Sequence, residues 1–120
     1  MADLDAQVAA DLAFLKDRVL GILRFGSSVV PGAAPRDIDL CLVAPGHSAS
    51  DLLLEVFRKI DVRGKTYDVW VFEELPIWMR HEVLERHVVT WTRDLPELTE
   101  YLYFMRKPCL DMLARQRKAI

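Results

Sequence analysis

Cysteine is scarce in this chain. Only Cys41 and Cys109 occur, far apart, and neither belongs to a C-x-x-C or Cys/His spacing. That excludes a zinc module, a dithiol redox motif and a disulfide framework, and leaves two thiols expected to be buried and idle. A basic excess is missing as well: 16 Lys+Arg stand against 18 Asp+Glu for a net charge of −2, so direct nucleic-acid binding is not expected. No apolar run approaches the length of a membrane span, and Met1–Asp5 is acidic where a secretion signal would be basic. These two features predict a cytoplasmic protein without membrane association. Five Gly and six Pro are too few for a disordered chain, and no internal repeat is visible. With 52% hydrophobic residues, the sequence describes one domain over residues 1–120.

The hydrophobic pattern alternates between helical and strand periods. Leu4, Val8, Leu12, Leu15 and Val19 recur at helical spacing and predict an amphipathic first helix. Val19–Phe25 is short, apolar and stopped by Gly26-Ser27-Ser28, as a buried strand would be. Gly26, Pro31, Gly32 and Pro35 then mark a loop with room for one helical turn before Pro31. From Asp37 to Val43 the period becomes two, with Ile38, Leu40 and Leu42 on one face and Asp37, Asp39 and Cys41 on the other. A helix capped by Ser48 or Ser50 follows, with Leu53, Val56, Phe57 and Ile60 as its buried stripe. Thr66–Phe72 predicts a third strand, with Val69 and Val71 opposite Asp68, Trp70 and Phe72. A helix from Pro76 to about Arg86 and an edge strand over His87–Trp91 come next. Leu98, Tyr101, Leu102, Met105 and Cys109 extend a C-terminal helical segment from about residue 95, which Pro108 should kink or divide. The fold class is α/β (α+β), a small sheet flanked by helices.

Asp37 and Asp39 lie two apart on a strand, so both carboxylates leave the same face and can share divalent cations. Unscreened, they would repel and raise each other's pKa, a cost that a bound cation offsets. Hard oxygen donors without cysteine favour Mg²⁺, or Mn²⁺, over zinc. The spacing alone is weak, since 11 Asp produce such a pair by chance. Asp3-Leu4-Asp5 is the internal control: on a helix, positions two apart diverge, and this pair reads as a solvated acidic first turn. Asp37 and Asp39 differ in their setting. Upstream stands Gly26-Ser27, whose glycine permits close backbone approach and whose serine adds a hydroxyl suited to phosphate; downstream stands a third acid, Asp68.

Gly26-Ser27, then nine residues, then Asp37-Ile38-Asp39-Leu40, and then Tyr67-Asp68-Val69-Trp70-Val71 resemble the DNA polymerase β-like nucleotidyltransferases. Within that superfamily the likeness is to the minimal nucleotidyltransferases encoded beside HEPN-domain toxins, and it covers roughly residues 18 to 93. The resemblance implies a small mixed sheet of that fold, with Asp37, Asp39 and Asp68 as catalytic residues and ligands of two Mg²⁺ ions. It implies Gly26 and Ser27 as the grip on the triphosphate of ATP. It further implies transfer of AMP to a hydroxyl of a HEPN-type toxin, a tyrosine foremost, by an antitoxin that forms a hetero-oligomer with its partner. Two alternatives stay open: a small-molecule or RNA hydroxyl as acceptor, and an inactive antitoxin that works by contact alone. Many members carry Ser before D-x-D, whereas Arg36 stands here and could face a phosphate, an acid or water.

Other residues carry less. His81 and His87 do not share a helix face and read as surface or partner-facing residues. Trp70 and Phe72 are expected in the core ahead of a base-stacking role. Residues 106–120 hold five basic residues against Asp111, whereas residues 1–17 hold four Asp against Lys16, so the near-neutral sum hides a charge asymmetry. A chain this short has little material for recognising an elaborate acceptor, which a partner protein would have to supply.

Overall fold

The computed structural model describes residues 2–33 and 37–118. Helix α1 (Ala2–Asp11) leads through a 3₁₀ turn at Ala13–Leu15 into β1 (Gly21–Phe25), and a second 3₁₀ turn occupies Gly26–Val29. Then come β2 (Ile38–Val43), α2 (Ala49–Lys59), β3 (Tyr67–Val71), a short turn at Phe72–Glu74, α3 (Ile77–Glu85), β4 (Val88–Thr92) and α4 (Leu95–Lys118). The strands form one mixed sheet in the order β3-β2-β1-β4. β1 is antiparallel to both its neighbours, while β2 and β3 run parallel, as the α2 crossover between them requires.

Strand alternation divides the core into two layers. Ile22, Leu40, Leu42, Val69 and Val71 face α1 and α2, packing with Val8, Leu12, Leu15, Leu52 and Val56. On the other face Leu23, Phe25, Cys41 and Val43 meet Phe72, Val83, Leu84, Leu98, Leu102 and Cys109 from α3, α4 and the turn after β3. Phe25 and Phe72 are almost completely buried, each worth about 1.5–3 kcal/mol relative to exposure. Glu73 fastens α4 to the sheet: it accepts the Ala44 N–H at 2.9 Å and the Tyr101 hydroxyl at 2.6 Å. Both cysteines are free and buried, and burial raises both thiol pKa values, as expected of inert thiols.

Four local expectations change. The first helix ends at Asp11, yet Val8, Leu12, Leu15 and Val19 are all fully buried, because the 3₁₀ turn's three-residue period keeps Leu12 and Leu15 on the sheet. In α2, capped by Ser48 through the Asp51 N–H at 3.3 Å, the buried stripe is Leu52 and Val56 with Leu53 and Ile60 at its margins; Phe57 has rotated past the margin and is 55% exposed. Helix α4 passes through Pro108 undivided. The missing N–H would have met the Phe104 carbonyl, and both residues lie on the exposed side, where water can serve that oxygen. Asp5 is no solvated acid: it is the counterion of buried Arg24, at 2.9 Å. No helix among the described residues is long and apolar enough to cross a membrane.

Candidate active site

The antiparallel register sets Phe25, the last residue of β1, opposite Asp39, so the chain turns at Gly26 directly beside that carboxylate. Gly26 has φ +71°, a left-handed conformation that side chains disfavour. It is also crowded: a Cβ there would collide with Asp39 Oδ2 and stand 3.2 Å from Asp39 Cγ. Glycine is thus favoured twice over. Ser27 is exposed next to it, while Ser28 is buried and its hydroxyl donates to the Phe25 carbonyl at 3.3 Å.

The parallel register pairs Asp39 with Asp68. Both belong to the face that carries Cys41, Trp70, α3 and α4. Asp37 immediately precedes β2 and is exposed. The Asp39 carboxyl pKa is raised, first by burial, then by the negative charge of Asp68, with smaller contributions from Asp37 and Glu82. The Trp70 indole N–H opposes part of this; it is buried, faces Asp39 and makes no regular hydrogen bond. Among the described residues none of the three aspartates has a basic partner.

The donors suit a divalent cation in kind: clustered carboxylate oxygens, uncompensated by Lys or Arg. They do not form a finished cage, since among the described residues no three acidic, His or Cys side chains are drawn together closely enough to hold an ion. That pattern matches Mg²⁺, which commonly takes one or two carboxylates and completes its shell with water and substrate phosphate. Arg36 lies outside the described residues.

Structure also adds residues that the sequence reading passed over. Glu82 of α3 adds negative charge near Asp39. A cleft of about 450 Å³ separates the Gly26–Val29 turn from α3, with Ser27 on one wall and His81, Glu82, Glu85 and Arg86 on the other. His81 lines it with its Nδ1 turned inward and unpartnered, whereas His87 Nδ1 is satisfied by the Val83 carbonyl at 2.8 Å. Phe72 is a core residue, stacked edge-on to Tyr101 at 6.2 Å. Arg24 underlies the Gly26 turn.

Gly26 and Ser27 at the end of β1, Asp37 and Asp39 at the start of β2 and Asp68 on β3 are the residues set against known proteins. No family model matches the chain. It is 37% identical over 102 residues to MJ1547 of Methanocaldococcus jannaschii, which carries the name of a protein adenylyltransferase, covering 84% of this chain and 78% of that protein. Solved structures share the fold, among them the following. A toxin–antitoxin structure with AMP-PNP superposes with TM-score 0.74 at 15% identity, covering 96% of this chain and 93% of the other. The MNT antitoxin in complex with tri-AMPylated HEPN toxin from Shewanella oneidensis gives 0.71 at 16%, covering 99% and 94%. The MntA–HepT toxin–antitoxin gives 0.70 at 15%, covering 96% and 91%. The chain belongs to the protein adenylyltransferase family, the minimal nucleotidyltransferases.

Proposed function

We propose that this protein transfers AMP from ATP to a hydroxyl, a tyrosine foremost, of a HEPN-domain toxin and so acts as its antitoxin within a hetero-oligomer. The observation that carries the reading is the Gly26 turn pressed against Asp39, which stands in register with Asp68. Support from relatives is of two kinds: MJ1547 is named for protein adenylyl transfer, and one structure of the same fold is in complex with a tri-AMPylated HEPN toxin.

Asp37, Asp39 and Asp68 would hold the two Mg²⁺ ions. Bound Mg²⁺ supplies neutralisation of the phosphates and lowers the pKa of a nearby hydroxyl. Gly26 admits the triphosphate close to the backbone, and the exposed Ser27 hydroxyl donates to a phosphate oxygen. Asp39, at the centre of the group, keeps the phosphate chain and the metal site adjacent. Asp68 accepts the acceptor's hydroxyl proton as its oxygen attacks the α-phosphorus. The bond from that phosphorus to the bridging oxygen breaks, pyrophosphate leaves, and the acceptor retains a phosphodiester to adenosine.

Incubation with α-labelled ATP, Mg²⁺ and the HEPN-domain protein encoded beside it should label that protein. Asp37→Asn and Asp39→Asn should abolish the label. Absence of label with the native chain, or label undiminished in both variants, would refute the reading. Neutralisation of the toxin by an unlabelling chain would mark an antitoxin that works by contact alone.

A further inference from the structure

Arg24 is the one buried charged side chain among the described residues, with the residue 2% exposed. It sits on β1 two positions before Gly26, on the sheet face opposite Asp39. Each of its three nitrogens has an acceptor. Nη1 donates to the Ser28 carbonyl at 2.6 Å, inside the Gly26–Val29 turn. Nε and Nη2 donate to the two Asp5 oxygens, at 2.9 and 3.4 Å. Asp5 Oδ1 also receives the Thr90 hydroxyl at 3.1 Å. Thr90 stands where the β1–β4 register shifts: Ile22 pairs with Trp91 and Leu23 with Val89. Arg24 and Asp5 together therefore tie α1, β1, β4 and the turn.

We propose that Arg24 is a positioning residue for nucleotide binding: it fixes the Gly26-Ser27 turn from behind, with Asp5 and Thr90 orienting its guanidinium. The inference rests on the nucleotidyltransferase reading. Its physical basis is that a buried ion pair adds little net stability over a well-packed apolar residue, while a planar fork held on both sides gives direction. The turn needs such direction, because Gly26 has no side chain to limit its own dihedrals. Lysine keeps the charge but not the fork, so it cannot serve Ser28 and both Asp5 oxygens in one plane.

The test compares Arg24→Lys and Thr90→Val with the native chain. It uses calorimetric titration with a non-hydrolysable ATP analogue, ¹⁵N–¹H spectra of the free proteins, and kcat and KM for ATP. Arg24→Lys should weaken the analogue at least ten-fold, raise KM in parallel, leave kcat within three-fold, and shift the amide signals of residues 26–29. Thr90→Val should do the same more weakly, by two- to five-fold. Analogue affinity within two-fold of native in both variants overturns the proposal, as does a fall in kcat at unchanged KM. Should Arg24→Lys not fold, Thr90→Val alone decides by the same criteria. A native chain that binds no ATP analogue overturns the transferase reading itself and the positioning role with it, whereas native binding with indifferent variants overturns the positioning role alone.

Discussion

Replacing Gly26 by alanine separates what the fold needs at this turn from what the chemistry needs. Two penalties are visible. A non-glycine residue at φ +71° costs about 1–2 kcal/mol. The new methyl would also overlap Asp39 Oδ2, but that oxygen is the far end of a rotatable side chain, so relief by rotation costs about 0.5–1.5 kcal/mol. Together they predict a loss of about 1.5–3.5 kcal/mol, a folded protein with a lowered urea midpoint. The effect on catalysis should be far larger, because the atom that moves is the carboxylate at the centre of the acidic group. A displacement of about 1 Å can cost on the order of 100-fold in rate. A double-mutant cycle with Asp39→Ala assigns the parts: in that background the collision is gone, so Gly26→Ala should cost only the dihedral strain, with a coupling of about 0.5–1.5 kcal/mol. Urea denaturation gives the stabilities and labelled-AMP transfer the rates. Transfer by Gly26→Ala within three-fold of native would refute the reasoning, and so would zero coupling in the cycle.

Asp39→Asn should abolish transfer yet raise the melting temperature. The native pKa is raised by burial and by Asp68, so ionisation at neutral pH disfavours the fold, and native stability should increase as the pH falls towards that raised value. A melting temperature lowered by the substitution would contradict this. The Glu55 carboxyl is depressed to about 2 by its hydrogen bond from Arg18, with Lys59 adding to it. Its contribution is therefore complete above the ordinary value of 4.5 and lost as the pH falls towards 2, and Glu55→Gln should flatten the acid limb of a stability profile there. Pro108→Ala restores a donor to the Phe104 carbonyl within α4 and should stabilise by about 1–3 kcal/mol in urea titration. Unchanged stability would mean that water already serves that carbonyl equally well.

The elements and the acidic face were legible because strand and helix periods are local. Period two in Asp37–Val43 assigned Asp39 and Cys41 to one face, and the sheet keeps that assignment. Gly26 and Pro31 leave room for one helical turn, and one 3₁₀ turn is there. Errors arose where a distant neighbour decides. Asp5 matched an exposed acidic helix start until a guanidinium 19 positions away and a hydroxyl 85 positions away proved to be its partners. Phe57 matches the buried stripe by spacing yet is exposed, because periodicity marks a face without marking its edge. Pro108 was expected to interrupt α4, but the cost of a missing N–H depends on whether water reaches the carbonyl left behind.

By itself the sequence determined the alternation of helices and strands, the face that Asp39 shares with Cys41, and the glycine-serine turn that ends the first strand, because each follows from spacing along one element. Only tertiary structure decided the strand order, the parallel pairing that sets Asp39 against Asp68, the contact that disfavours a side chain at position 26, and the conversion of Arg24 and Asp5 into a brace beneath the turn. Those depend on which strands become neighbours, and neighbours are chosen by burying two apolar layers at once. No local pattern in the chain encodes that choice.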